Sequence, residues 1–118
     1  MDKNNSTNKS YKYDRISSEV ERIISEVILY EIKDPRVCGN VNVTGIILSR
    51  DFSHCKVFVQ INSDDVKEVM QGLKNSSGFV RHVIANQLDM RKTPEISFYI
   101  DETIEKMKRI EELLEQIK

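Results

Sequence analysis

Four side chains of this 118-residue sequence are candidates for covalent or metal chemistry: Cys38, Cys55, His54 and His82. A nucleophilic cysteine needs exposure and a depressed pKa, but Cys55 alternates with valines on an apolar face, which favours a buried core position. Cys38 lies in a Val-Cys-Gly loop with no CxxC or His-x-x-His companion, so it is expected to be exposed and without function. The sequence therefore predicts no catalytic residue, no metal and no cofactor. A small enzyme that uses Cys38 or His82 is the alternative.

The basic residues of the sequence are more informative than these four side chains, because their positions favour binding of phosphate groups. Basic side chains flank Gly78 and also stand at the ends of neighbouring segments, where cations and free backbone amides can hold nucleic-acid phosphates. The candidate nucleic-acid-binding residues are Lys33, Arg36, Arg50, Lys74, Ser76, Gly78, Arg81, Arg91 and Lys92. Each cation has a plainer alternative as a solvated charge. In addition, Arg36 is placed to bind the last carbonyls of the first helix, and Arg50 to pair with Asp51.

The net charge of −1 hides an uneven distribution along the chain. Residues 33–92 contain nine basic and six acidic side chains, so the middle of the chain is positive and the remainder is negative. Because electrostatic fields act over a Debye length of about 8–10 Å, a locally basic surface attracts a polyanion whatever the overall pI. The composition therefore permits RNA as a partner.

Cysteine usage and hydropathy indicate a cytoplasmic protein. Two cysteines 17 positions apart are too few for a secreted disulfide framework, and no apolar signal segment follows the polar start. The longest apolar run is Val27–Tyr30, far below the roughly 18 residues that a membrane span requires. We therefore expect a soluble monomer that does not contact membranes.

The first half of the chain predicts a tail, a helix and two strands. Residues 1–12 are polar and aperiodic and are expected to be disordered, so the predicted single domain covers 13–118. A helix follows, starting at Asp14 or at a capping box at Ser18, and its apolar stripe extends to Ile32. The first strand, about 41–49, changes its apolar phase around Gly45, which indicates a bulge.

The second strand alternates after Ser53 between a packed face and an open face. His54, Lys56, Phe58 and Gln60 form the open face, which is either an exposed ledge or a platform for RNA bases.

The second half predicts helices around a third strand. Short polar residues at 63–65 cap a helix that is interrupted at 75–78, and a further helix resumes at Phe79. A strand follows over 95–101. The last helix is expected to pack its apolar stripe on the domain, with docking of another protein as the alternative. This order predicts an α+β sandwich, with helices on one face of a small mixed sheet.

Four spaced strings give the chain a family resemblance. They are Ile32-Lys33-Asp34-Pro35-Arg36-Val37, the hairpin Ser49-Arg50-Asp51-Phe52-Ser53 with Lys56-Val57, the break Ser76-Ser77-Gly78, and Arg91-Lys92-Thr93-Pro94-Glu95. Together they resemble the ribosome-binding factor A family over about residues 13–118. The family usually has Ala-x-Gly at the break, whereas Ser76 replaces the alanine here, and its hydroxyl is a potential helix cap.

The resemblance implies a fold and a function. The fold would be type II KH-like, in the order helix, strand, strand, helix, kink, helix, strand, with an added C-terminal helix, although the GXXG nucleotide clamp of typical KH domains is missing. The function would be a non-enzymatic factor that binds the free small ribosomal subunit and its rRNA. It would assist late folding and processing at the 5′ end and support growth in the cold. The alternative is a generic KH-like binder of single-stranded nucleic acid.

Overall fold

A computed structural model describes the backbone of residues 2–117 and the side chains of residues 11–103, 106–107 and 109–116. Helix α1 spans Asp2–Glu26 and ends in a π-helical turn, Val27–Glu31. The other elements are strand β1 (Val41–Leu48), strand β2 (His54–Ile61), helix α2 (Val66–Gln87), strand β3 (Glu95–Ile100) and helix α3 (Glu102–Ile117). This order confirms the predicted α+β fold. Within the described residues, no helix is both long and apolar enough to cross a membrane.

The three strands form one mixed sheet in the order β1-β2-β3. Strands β1 and β2 are an antiparallel hairpin, while β3 returns parallel to β2 after the crossover through α2. The register of the hairpin shifts between Val43 and Gly45, which confirms the predicted bulge. Strand β3 therefore lies at an edge of the sheet, beside α2.

The core lies between the sheet and helices α1 and α2. Strand β2 buries Cys55, Val57 and Val59 on one face, as its period-2 alternation predicts. The apolar stripes of the helices cover this face, and their fully buried side chains include Val20, Ile23, Ile24, Leu73, Val80 and Ile84. The packed region is contiguous, so the cations described below are carried by a rigid framework.

Helix α2 corrects the prediction of a broken helix. Residues 75–78 continue the helix without interruption, so Val66–Gln87 is one element of 22 residues. The Ser76 hydroxyl donates back to the Gly72 carbonyl at 2.9 Å, and the Ser77 hydroxyl donates to the Lys74 carbonyl. Neither serine caps a new helix. Their local hydrogen bonds are of the kind that bends a helix without ending it.

The close packing expected around a glycine occurs at Gly72, not at Gly78. A Cβ added at Gly72 would lie 2.8 Å from Val37 Cγ2 and 3.5 Å from Arg36 Cβ, whereas a Cβ at Gly78 would meet nothing within 4 Å. The missing side chain at Gly72 therefore lets the loop after α1 lie directly on α2.

The start of α1 and the packing of α3 also differ from expectation. Helix α1 passes through both predicted starting points, Asp14 and Ser18, and begins at Asp2. The predicted disorder of residues 1–12 and the domain boundary at 13 remain predictions. In α3 the apolar side chains of Met107, Ile110 and Leu114 are 56–59% exposed, so the expected packing of this stripe on the domain is wrong for these residues. The other two members of the predicted stripe, Ile104 and Ile117, lie outside the side chains that the structure describes.

Candidate nucleic-acid interface

A long groove runs between α2 and the edge strand β3. Its volume is about 830 Å³, and its β3 wall is formed by residues 96–100. The α2 wall is formed by Val66, Lys67, Met70, Gln71, Lys74 and Ser77. These positions recur every three or four residues, so they form one face of the helix. The groove therefore has two lysines along one side and apolar side chains, including Met70 and Phe98, along its floor.

The start of α2 is fixed by the cap that the sequence predicts. The Asp65 carboxylate accepts a hydrogen bond from the Glu68 amide at 3.2 Å, and the Ser63 hydroxyl accepts one from the Asp65 amide at 3.2 Å. Because the first helical residues are held in this way, the positions of Lys67 and Met70 along the groove are set by the backbone. The opposite wall is equally fixed, since β3 pairs with β2 along its length.

The open face of the sheet lies on the side away from the helices. Phe58 and Tyr99 are cross-strand neighbours with ring centroids 6.0 Å apart, and Lys56 Nζ lies 5.8 Å from the Tyr99 ring centroid. His54 Nε2 lies 3.3 Å from a carboxylate oxygen of Glu95, and both side chains are exposed. The predicted alternation of this strand is confirmed, and the aromatic and cationic side chains that a base platform needs are present.

Arg36 has a structural task in the loop after α1. Its guanidinium donates to both carboxylate oxygens of Asp34, at 2.7 Å and 3.0 Å, and its backbone amide also donates to Asp34 at 3.0 Å. These hydrogen bonds lower the pKa of Asp34 and raise the pKa of Arg36. The partner of Arg36 is therefore Asp34, and not the last carbonyls of the first helix as the alternative expected. Lys33 lies exposed beside this pair.

Arg50 stacks on an aromatic ring instead of pairing with Asp51. Its guanidinium carbon lies 4.1 Å from the Tyr13 ring centroid, and Tyr13 also stacks on Phe52, with ring centroids 5.9 Å apart. Asp51 is held by Ser49 and Ser53 instead. The hydroxyl groups of both serines and the Ser53 amide donate to its carboxylate and lower its pKa to about 2.

The remaining candidates do not converge on Gly78. Lys74 faces the groove, while Arg81 donates to the Thr93 carbonyl at 3.3 Å and so ties α2 to the loop before β3. Arg91 and Lys92 line a separate cavity at the end of the sheet. Ser76 and Gly78 lie inside a helix whose amides are already bonded, so this position offers no helix N-terminus for phosphate.

The reactive residues stand apart from one another. Cys55 is buried, and its burial raises the pKa of the thiol to about 12, while Cys38 is exposed. His82 Nε2 is 3.1 Å from the Asn86 amide nitrogen on the next turn of α2. Across the part of the chain that the structure describes, no three His, Cys, Asp or Glu side chains are grouped to hold a metal ion.

Of the residues that line the groove, only Lys74 was among the predicted candidates, and Lys67, Met70 and Ser77 on the same helix were missed. A signal for them exists in the sequence. Residues 67, 70, 74 and 77 follow the helical period, so they share a face with the predicted Lys74. What the sequence does not give is the strand that faces this stripe, because α2 and β3 are paired only by the tertiary fold.

Comparison with known proteins identifies a family. The family model described as ribosome-binding factor A matches residues 12–114. A ribosome-binding factor A from Caldanaerobacter subterraneus subsp. tengcongensis is 39% identical over 109 residues, which cover 91% of this chain and 89% of that protein.

Solved structures give the same result. The solution structure of a Thermotoga maritima protein described as a putative ribosome binding factor A superposes with a TM-score of 0.67 at 30% identity, covering 78% of this chain and 89% of the other. A homology model of the Thermus thermophilus ribosome binding factor A, fitted into the cryo-EM map of a 30S complex, shares the fold with a TM-score of 0.60 at 21% identity, covering 74% of this chain and 92% of the other. This chain belongs to the ribosome-binding factor A family.

Proposed function

We propose that this protein binds the free small ribosomal subunit through its rRNA and assists the last steps of rRNA folding. The groove between α2 and β3 is the observation that carries the proposal, because it combines Lys67 and Lys74 with an apolar floor beside a strand edge. Phosphates pair with the lysines, and unpaired bases lie against the apolar floor. The family supports the same partner, since the Thermus thermophilus relative is described in a 30S complex.

The mechanism follows from differential binding. A factor that does not hydrolyse a nucleotide shifts an RNA folding equilibrium only by binding one conformer more tightly than another. The protein would bind an immature conformer of the subunit, promote maturation near the 5′ end of the rRNA, and leave the cleavage to a nuclease. Alternative RNA pairings dissociate slowly in the cold, so the requirement would be greatest there. On this proposal the protein acts as a monomer in the cytoplasm and performs no catalysis.

The continuous α2 separates this proposal from a generic KH-like binder of single strands. A GXXG loop binds nucleotide backbone through free amides between two helices. Here residues 75–78 are helical, so their amides are occupied and no such clamp forms. We therefore expect weak binding to isolated short oligonucleotides and stronger binding to the subunit, where several contacts act together.

Sucrose-gradient fractionation tests the partner, and charge-matched variants test the groove. The wild-type protein should sediment with free small subunits. Lys67→Gln/Lys74→Gln should bind more weakly, with a salt-dependence slope smaller by roughly 1.4, that is 0.7 for each single-strand phosphate that is no longer neutralised. Lys106→Gln/Arg109→Gln removes two charges on α3 and should behave as wild type. An unchanged slope in the groove variant would contradict this assignment of the groove.

Complementation in the cold tests the non-enzymatic mechanism. Cells that lack the protein should accumulate precursor small-subunit rRNA, and both Cys38→Ser and His82→Gln should clear it. A variant that folds and binds subunits yet leaves the precursor in place would show that a reactive group is required.

A further inference from the structure

A second cavity lies where the middle of α1, the β1–β2 turn and the loop between α2 and β3 meet. Its volume is about 380 Å³, and none of its lining residues belongs to the groove. Ile16, Phe52 and Met90 form apolar walls, and Lys12, Arg91 and Lys92 are cations along the same cavity. The three cations are exposed, while the three apolar side chains are half-buried.

The local charge remains positive when the nearby carboxylates are counted. Asp51 and Asp89 also line the cavity. The Asp51 carboxylate accepts three hydrogen bonds from Ser49 and Ser53 on Oδ1, which hold it in the turn. It keeps its charge, so the lining contains three cations, Lys12, Arg91 and Lys92, and two carboxylates. Arg50 does not line the cavity, but it lies over the ring of Tyr13, which stacks on the cavity residue Phe52, and so adds a further positive charge nearby. A phosphate group is therefore attracted to this end of the molecule.

The aromatic wall is held in an unusual conformation. Phe52 has φ of 61°, the left-handed region that a bulky side chain rarely adopts. Its ring is fixed against Tyr13, whose hydroxyl donates in turn to the Leu48 carbonyl. Arg50 covers Tyr13 as well. Such backbone strain persists only where surrounding contacts impose it, and it occurs often at ligand-binding sites.

We propose that this cavity binds one unpaired nucleotide of RNA, with the base between Phe52 and Met90 and its phosphate on Arg91 and Lys92. Unpaired bases are recognised by stacking on aromatic and apolar side chains, and neighbouring cations hold the backbone. The inference rests on the proposed function, since the RNA is that of the small subunit. It adds a second site, so that groove and cavity contact two separate segments of the RNA.

The test measures binding to free small subunits as a function of salt for two kinds of cavity variant. Arg91→Gln/Lys92→Gln removes phosphate contacts, so affinity and salt slope should both fall, the slope by roughly 1.4. Phe52→Asn removes the ring while keeping a residue that tolerates the left-handed conformation. It should lower affinity several-fold with the slope unchanged. Met90→Gln leaves the turn intact and should also lower affinity several-fold with the slope unchanged. It is used in place of Phe52→Asn if circular dichroism shows that Phe52→Asn is unfolded.

The outcomes separate the cavity from the groove. Normal affinity in folded Phe52→Asn or Met90→Gln, or an unchanged slope in Arg91→Gln/Lys92→Gln, would overturn the nucleotide site. Loss of binding in the Lys67→Gln/Lys74→Gln groove variant alone, with all cavity variants normal, would overturn it too while leaving the proposed function intact. If wild-type protein does not bind subunits, the proposed function fails and the cavity proposal fails with it. Lys106→Gln/Arg109→Gln is the charge-matched control throughout.

Discussion

Two glycines of the same helix should respond differently to replacement by alanine. At Gly78 an added Cβ meets nothing within 4 Å, so Gly78→Ala should gain the helix propensity of alanine, about 1 kcal/mol, and raise the Tm by about 4–8 °C. At Gly72 the Cβ would lie 2.8 Å from Val37 Cγ2 and 3.4 Å from Asp34 Oδ2. Val37 is fully buried, so it has little room to move.

The net effect at Gly72 follows from two opposing contributions. Overpacking in a filled core costs about 1–3 kcal/mol, and the gain in helix propensity offsets about 1 kcal/mol of it. Gly72→Ala should therefore be less stable than Gly78→Ala by about 1–3 kcal/mol, since both variants gain the same propensity and only one has a clash. Urea denaturation followed by circular dichroism at 222 nm measures this difference directly.

A double-mutant cycle identifies the clash as the cause. In a Val37→Ala background the atom that Gly72→Ala would strike is gone, so the added methyl group should cost less than in the wild type, with a coupling energy of about 0.5–3 kcal/mol. Equal stability of Gly72→Ala and Gly78→Ala, or strict additivity with Val37→Ala, would refute the argument. Because α2 is continuous, Gly78→Ala should also bind subunits normally.

Three further outcomes follow from the polar contacts. In native protein at pH 8, iodoacetamide should alkylate Cys38 alone, because the pKa of Cys55 is raised to about 12 by burial; mass spectrometry should find the second adduct only after unfolding. Asp51→Asn should be less stable than wild type at neutral pH. The folded pKa of Asp51, about 2, is below the ordinary 3.8, so its stabilisation is present above 3.8 and is lost as pH falls towards 2, where acid denaturation curves of the two proteins should converge. Tyr13→Phe removes the hydrogen bond to the Leu48 carbonyl and should cost about 1 kcal/mol in urea denaturation.

Local signals in the sequence predicted the elements that depend on local physics. The alternation of β2, the bulge beside Gly45 and the Asp65 cap were all predicted correctly, because each is determined by side chains a few residues apart. The helix break predicted at 75–78 was wrong, because the low helix propensity of three polar residues and a glycine is too weak an effect to end the helix. Val80 and Ile84 bury their side chains only if the helix continues, and tertiary packing usually outweighs propensity.

Long-range packing determines which cations lie close together in the fold, and no local sequence pattern predicts that packing. Gly72 and Val37 are 35 positions apart, and nothing near either residue indicates that they touch. The same holds for the groove and the cavity. Lys74 is opposite β3, while Arg91 and Lys92 share a cavity with Lys12 from the other end of the chain. The sequence motifs identified these cations as candidates, but we expected them to lie together around Gly78. In the structure the amides near Gly78 are bonded within α2, so the free amides of a helix start, which that expectation required, are absent there.

The ion pair of Arg36 with Asp34 shows why binding data alone would assign these cations wrongly. Arg36 lies against α2 at Gly72, and its guanidinium holds the loop that packs there, so its replacement should disturb the fold before it disturbs any RNA contact. Lys67 and Lys74 are exposed, and no hydrogen bond or ion pair of their side chains is found among the described residues, so their replacement should act on binding without a stability change. A binding defect that disappears when the variant is measured at a lower temperature, where it is folded, is caused by lost stability, as expected for Arg36. A binding defect that changes the salt-dependence slope without a change in stability is caused by lost phosphate contacts, as expected for Lys67 and Lys74.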